Sequence, residues 1–125
     1  MGKGSPEERE ALAGGVADPS VVVYRIVQGA EATLEDFLSD EQRGKRPRDL
    51  TPEKWRRHTG RSVWLTEDNA HALAARFPQI GSYVAEVRLP PDATLEPFEK
   101  TPDHNTVYAD PNALLDRVVR IVPVR

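Results

Sequence analysis

One segment near the middle of the chain constrains the fold more than any other. It reads as a strand that runs directly into an alanine-rich helix over Gly60–Phe77, and then, after a short turn, as a second strand over Tyr83–Leu89. Thr66 is a typical helix N-cap, apolar residues follow it at helical spacing, and Pro78 is a typical stop signal. This strand–helix–strand unit predicts the centre of a small α+β domain, with candidate ligand-binding residues where the first strand ends.

The remaining predicted elements are short, and strands and helices are interspersed along the chain. Strands are predicted at Val21–Val27, Arg61–Leu65, Leu95–Glu99, Asn105–Tyr108 and Val118–Val124, and short helices at Pro52–His58 and Ala113–Asp116. A further helix is predicted to open after the cap residue Thr33, to run through Leu34, Phe37 and Leu38, and to have its stop signal at Gly44. These helices are too few and too short for a doubly wound parallel sheet. We therefore predict a single compact α+β domain, with a mixed or antiparallel sheet and helices on one side. The domain occupies residues 20–125, and residues 1–19, rich in Gly, Glu and Pro without periodicity, are interpreted as a flexible N-terminal leader.

The composition excludes several kinds of site. A chain of 125 residues is long enough to form one hydrophobic core without the help of disulfides or a structural metal. The absence of cysteine rules out disulfides and thiolate metal sites. His58, His71 and His104 are too far apart in sequence for a zinc motif, so no metal is expected. His71, at the edge of the helical stripe, is predicted to be half exposed. The N-terminus lacks the apolar core of a signal peptide and no apolar run could cross a bilayer, so we expect a cytoplasmic protein without a membrane partner.

The charge is distributed unevenly. The segment Arg43–Arg61 holds eight Lys and Arg residues against two acidic ones, although the whole chain carries a net charge of −3. A local basic patch on an acidic protein indicates that an anion is bound at one place. The alternative is a solvated loop followed by a short helix.

Three arginines recur in a similar context inside predicted strands. Arg25, Arg88 and Arg120 each have aliphatic neighbours, and strand alternation directs each guanidinium to one definite face. If two of these strands are neighbours, two guanidinium groups converge on a cleft suited to phosphate or carboxylate. The alternative is that their stems cover the sheet and their charged heads stay in water.

Ser62, Trp64 and Thr66 alternate along one strand and therefore share a face. Hydroxyl groups beside an indole at a strand end can orient a planar ring and a sugar. Two simpler roles compete with this interpretation, because Thr66 is explained as a helix cap and a tryptophan is often a core residue.

The remaining candidate site residues lie later in the chain. His104 occurs in a polar loop from which it can reach a ligand, and Tyr108 stands near Asp110 at a loop-to-helix junction. Among the carboxylates, Glu86 and Asp110 are best placed for chemistry. Capping before Pro111 is the alternative for Asp110, and half of a surface ion pair, with Arg88, is the alternative for Glu86.

Three of these segments together resemble the ADP-ribosyltransferase-like families, particularly the small bacterial ones related to rifampin-modifying transferases. Val-Tyr-Arg25-Ile-Val looks like their first strand, Ser62-Val-Trp64-Leu-Thr66 and the following alanine-rich helix look like their second element, and Tyr83–Pro91 looks like their strand that ends in proline. The resemblance spans roughly Val21 to Val124 and is one of pattern. The chain has no Ser-Thr-Ser run, and Trp64 stands where the family often has a tyrosine.

The resemblance implies an ADP-ribosyltransferase-like fold and an NAD-binding cleft, in a toxin or modifying enzyme that transfers ADP-ribose to a protein, a nucleic acid or a small molecule. Arg25 would contact the phosphate or ribose of NAD, and Trp64 with Ser62 would hold the nicotinamide end. The same cleft would include Thr66, His104 and Tyr108. Glu86 or Asp110 would stabilise the cationic ribose as nicotinamide leaves.

Two other functions stay open at this point. One is a non-catalytic anion- or nucleic-acid-binding module that uses the basic residues 43–61. The other is a small protein-interaction domain, which an exposed apolar patch around Trp55 or Trp64 would favour.

Overall fold

The computed structural model of the protein describes residues 21–45 and 51–125. The six strands of this part are β1 (Val22–Val27), β2 (Arg61–Trp64), β3 (Tyr83–Arg88), β4 (Thr94–Pro97), β5 (His104–Tyr108) and β6 (Val118–Pro123). The helices are α1 (Pro52–His58), α2 (Glu67–Arg76) and α3 (Pro111–Leu115), with short 3-10 helices at Leu34–Phe37 and Pro78–Ile80. The predicted leader, residues 1–19, lies outside the described residues, and so does most of the proline-containing basic loop before α1.

The six strands form one sheet in the order β4-β5-β2-β1-β3-β6, and every neighbouring pair is antiparallel. The predicted single α+β domain with an antiparallel sheet is therefore confirmed. The junction between β1 and β2 differs from the others, because only one pair of residues, Tyr24 and Trp64, is in register there. β1 and β3, by contrast, pair along all six positions. The two central strands of the sheet, β2 and β1, are thus connected by fewer paired residues than β1 and β3.

Helices cover both faces of the sheet. On one side, the α2 face, Ile26, Trp64 and Val84 pack with Ala70 and Ala74 of α2. On the other side, the α3 face, a larger cluster joins Val23, Val27, Val63, Val87 and Val107 to Phe37 and Leu114. The prediction of helices on one side only is therefore wrong. The reason lies in strands such as β1, whose apolar residues at odd and even positions serve both faces.

Local signals in the sequence locate the two short α-helices correctly. The Thr51 hydroxyl accepts a hydrogen bond from the Lys54 N–H at the start of α1, and the Asp110 carboxylate accepts one from the Ala113 N–H at the start of α3. Both helices have proline at the first helical position, where no N–H is needed. Capping is thus the role in which the structure places Asp110.

The central helix α2 departs from expectation at two side chains. Thr66 occupies the N-cap position, but its hydroxyl donates to the Asp103 carboxylate at 3.2 Å rather than capping the helix. His71 was predicted to be half exposed and is only 4% exposed. It is enclosed because its Nε2 contacts Glu67 at 3.1 Å and its Nδ1 accepts the backbone N–H of Arg125 at 3.3 Å.

Candidate functional site

A row of five side chains crosses the α2 face, one from each of five neighbouring strands. In order across the sheet they are Arg120 on β6, Glu86 on β3, Tyr24 on β1, Trp64 on β2 and His104 on β5. Each is the direct cross-strand partner of the next, so side chains that are distant in sequence share one line. This transverse row brings together four residues that the sequence singled out and adds Tyr24, which the sequence argument missed.

The Glu86 end of the row is polar and partly open to solvent. The Arg120 Nε donates to Glu86 Oε1 at 2.7 Å, and the Arg120 Nη2 donates to Glu67 at the start of α2. The side chains of Glu86 and Glu67 keep about one fifth of their exposure, 20% and 21%. Burial raises the pKa of Tyr24, and the charges of Glu86 and Glu67 raise it further, so the phenol lies within electrostatic reach of both carboxylates.

The other end of the row is a closed aromatic stack. The ring of His104 lies parallel to Trp64 with centroids 4.7 Å apart, and Phe98 covers the opposite face of His104 at 4.2 Å. The Arg57 guanidinium lies 3.8 Å from the Phe98 centroid and completes the stack. Trp64 is only 8% exposed. Both faces of His104 are therefore occupied by protein, and a ligand can meet this end of the row only at its edge.

The half-buried imidazole of His104 predicts a specific pH dependence of stability. Burial, together with the Arg57 charge, lowers the pKa of His104 in the folded protein below its ordinary value of 6.5, and its Nε2 has no partner among the described residues. The unfolded chain therefore binds the proton first, so His104 costs the folded state stability as the pH falls below about 6.5.

The variant His104→Phe keeps a stacked ring and removes this titration. We expect its free energy of unfolding, measured by urea denaturation, to fall less than that of the wild type between neutral pH and pH 5. Because His58 and His71 are present in both proteins, the difference between the two pH slopes isolates His104. Identical pH slopes in the two proteins would show that His104 carries no such penalty.

Polar side chains of β2, β5 and β4 continue the α2 face beside the row. Ser62 pairs across the strands with Thr106, and the Tyr108 hydroxyl donates to Glu96. Arg56 also donates to Glu96, and this hydrogen bond is the main reason why the pKa of Glu96 falls to about 2. Burial and the same carboxylate raise the pKa of Tyr108 to about 12. Tyr108 is thus held in an ionic network that fastens α1 to the sheet.

Arg25 points away from the transverse row, onto the α3 face. Its Nε donates to the Asp36 carbonyl at 3.0 Å and its Nη1 donates to the Ser62 carbonyl at 2.6 Å. Burial, with the nearby charges of Arg43 and Arg61, lowers the pKa of Arg25 to about 10. The Arg25 guanidinium therefore links β1 to β2, next to the single residue pair that joins these strands. It does not converge with the guanidinium of Arg120, which lies on the opposite face of the sheet.

The predicted carboxylates are also separated. Glu86 belongs to the transverse row, whereas Asp110 caps α3 and acts electrostatically on Arg61, a residue of the α3 face. The predicted surface pair of Glu86 does form, but with Arg120 of the neighbouring strand rather than with Arg88. Strand alternation is enough to place Glu86 and Arg88 on one face of the sheet. The pairing of Glu86 with Arg120 depends on the strand order, which the sequence does not reveal.

All four arginines of the basic segment that the structure describes are bonded to other parts of the protein. Arg43 bonds to Glu35, Arg56 to Glu96, and Arg57 to Glu53 and Glu96. Arg61 is 5% exposed and donates to the carbonyl of Ala109 at 2.8 Å. These four cations are therefore poorly placed for a nucleic-acid backbone. Of the two tryptophans, Trp64 is buried and Trp55 is 44% exposed, with its ring nearly perpendicular to that of His58.

Comparisons with known proteins do not identify the site. No family model matches the chain, and no curated protein or solved structure is detectably similar to it. Across residues 21–45 and 51–125, no helix is long and apolar enough to cross a membrane. The same residues contain no group of three or more histidine or acidic side chains that could hold a metal ion.

Proposed function

We propose that the protein is an ADP-ribosyltransferase-like enzyme that binds NAD along the Glu86 end of the transverse row. The observation that carries the proposal is the placement of a half-buried carboxylate, Glu86, directly across the strands from the phenol of Tyr24 on an open, polar part of the α2 face. The sequence resemblance to ADP-ribosyltransferase-like proteins supports the same reaction class. The site so defined uses the half-buried Tyr24 as its aromatic side chain in place of the buried Trp64.

Glu86 supplies the electrostatic part of the reaction. One oxygen, Oε1, is held by Arg120, and the other, Oε2, has no hydrogen-bond partner within the described chain. When the bond from the ribose C1′ to nicotinamide breaks, the electron pair leaves with nicotinamide and the ribose becomes cationic. A fixed carboxylate beside C1′ lowers the energy of that transition state, and an acceptor nucleophile then attacks C1′.

Arg88 is the cation that suits the diphosphate of NAD. It follows Glu86 by two residues on β3 and therefore projects from the same face, about 7 Å further along the strand. Its side chain is exposed, and no described carboxylate pairs with it. A guanidinium can donate two parallel hydrogen bonds to phosphate oxygens. Arg88 therefore takes the anion-binding role that the sequence assigned to Arg25, whose donors are directed to backbone carbonyls.

The remaining residues of the row, Trp64 and His104, lie beside this site in the sheet. The Trp64–His104–Phe98 stack is a rigid wall that keeps β2 and β5 in place next to Tyr24. Ser62 lies on the same face, one alternation before Trp64, and its hydroxyl makes no hydrogen bond to another described residue. It is available to a ribose or amide group of the ligand. Protein, nucleic acid and small molecules stay candidate acceptors.

The proposal is tested by incubating the purified protein with NAD and separating the products by chromatography. Free nicotinamide should accumulate with ADP-ribose, since water is always present as an acceptor. Heat-denatured protein is the control for spontaneous hydrolysis. If the folded protein released nicotinamide no faster than that control and did not bind NAD at millimolar concentration, the proposed function would be wrong.

A further inference from the structure

We propose that Arg120 is the positioning residue for Glu86, and that Glu67 holds Arg120 in that role from the first turn of α2. This inference rests on the proposed function, because it assigns to an ion-pair network the task of aiming the carboxylate that faces the ribose. The position of Arg120 next to Glu86 and Tyr24 can also be tested without measuring any reaction.

The guanidinium of Arg120 bridges two carboxylates from different parts of the fold. Its Nε donates to Glu86 on the neighbouring strand, and its Nη2 donates to Glu67 on the helix above. The planar fork of arginine fixes the directions of both bonds, which a single ammonium point charge cannot do. Arg120 is 44% exposed, so its position depends on these two bonds more than on packing.

Glu67 is itself held by a buried side chain, that of His71. Its Oε2 receives His71 Nε2 at 3.1 Å, and Arg125 Nη2 lies 3.3 Å from the same oxygen. Because the backbone N–H of Arg125 donates to His71 Nδ1, the proton of the neutral ring is on Nε2 and is donated to Glu67. Both oxygens of Glu67 are therefore engaged, and the carboxylate is a fixed support for Arg120. Hydrogen bonding to Arg120 and His71 lowers the pKa of Glu67, which keeps it charged.

The bond from Arg120 orders the carboxylate of Glu86. With Oε1 bound to Arg120, rotation of the Glu86 side chain is restricted, and Oε2 keeps a fixed position for the proposed ribose. A carboxylate that must be ordered during the reaction costs conformational entropy at that moment, whereas one that is already fixed does not. Removing Arg120 should therefore slow the chemical step and leave binding of NAD unchanged.

The test compares Arg120→Gln and Arg120→Lys with Arg76→Gln, which removes an exposed arginine at the far end of α2. We expect Arg120→Gln to lower kcat for nicotinamide release by up to about 100-fold while KM stays unchanged. Arg120→Lys should recover part of that loss. Arg76→Gln should match the wild type. A kcat of Arg120→Gln equal to that of the wild type would overturn the positioning role.

A second measurement separates this inference from the proposed function. Tyr24 is near Glu86, Glu67 and Arg120, and of these only Arg120 lowers the pKa of its phenol. NMR titration of tyrosine-labelled protein should therefore show a higher pKa for Tyr24 in Arg120→Gln and no change in Arg76→Gln. If the wild type neither releases nicotinamide nor binds NAD, the proposed function fails. The arrangement around Glu86 is then still supported by a raised Tyr24 pKa, or overturned by an unchanged one.

Discussion

The variant Gly81→Ala should lose about 3 kcal/mol of unfolding free energy, close to the upper end expected for forcing an extra methyl group into a packed core. A Cβ at Gly81 would lie 2.4 Å from the Val27 carbonyl oxygen and 2.9 Å from Ile26 Cγ2. The obstacle includes backbone, which cannot rotate away as a side chain can. Since φ of Gly81 is 167°, an extended value, the cost comes from this contact and not from backbone strain.

The matched control is Gly29→Ala, which follows β1 at the same end of this pair of strands. Its added Cβ would have only the Glu31 carbonyl oxygen nearby, at 3.9 Å, which is an ordinary contact. We expect its stability to be unchanged or slightly higher, because alanine reduces the freedom of the unfolded chain. Urea denaturation of both variants measures the difference. A Gly81→Ala protein within about 0.5 kcal/mol of the wild type would contradict the close approach of residue 81 to β1.

The variant Glu86→Gln should lower the rate of nicotinamide release by about 100- to 1,000-fold. Glutamine has nearly the same shape, and its amide oxygen can still accept the hydrogen bond from Arg120. What it loses is the negative charge that stabilises the cationic ribose in the transition state. NAD affinity should change little, because the charge acts mainly when the bond to nicotinamide is breaking.

The control for this variant is Asp110→Asn, which neutralises the other carboxylate that the sequence nominated. Asparagine is an equally good N-cap, so α3 should keep its capping hydrogen bond and the protein should fold normally. Its rate should equal that of the wild type. A large loss in Asp110→Asn with full activity in Glu86→Gln would place the chemistry on the α3 side and contradict the proposed site.

Local chemistry made much of this fold predictable. The strand that contains Glu86 was recognised from its alternation, and the two short α-helices from Thr51-Pro52 and Asp110-Pro111, because these signals act within a few residues. The prediction that helices lie on one side failed since which face a helix covers depends on contacts between distant segments. Burial of His71 was missed for the same reason, because the contact that encloses it comes from the C-terminal residue Arg125.

The candidate site was harder to predict than the fold. Alternation alone places Tyr24 and Arg25 on opposite faces, but it does not say which face also holds Glu86. That depends on the pairing of β1 with β3, in which Tyr24 is the partner of Glu86 and Arg25 is the partner of Ala85. The aromatic neighbour of the carboxylate was thus overlooked, while the adjacent arginine was assigned to the ligand.

The central proposal is that NAD binds on the α2 face of the sheet, and NMR of the arginine side chains tests it most directly. The Nε–H signals of Arg88 and Arg120 report on the α2 face, and that of Arg25 reports on the α3 face. On titration with NAD, we predict shifts for Arg88 and Arg120 together with the Tyr24 ring, while the Arg25 signal stays in place. Shifts confined to Arg25 and Arg61 would contradict the account, because they would put the ligand on the opposite side of the sheet from Glu86.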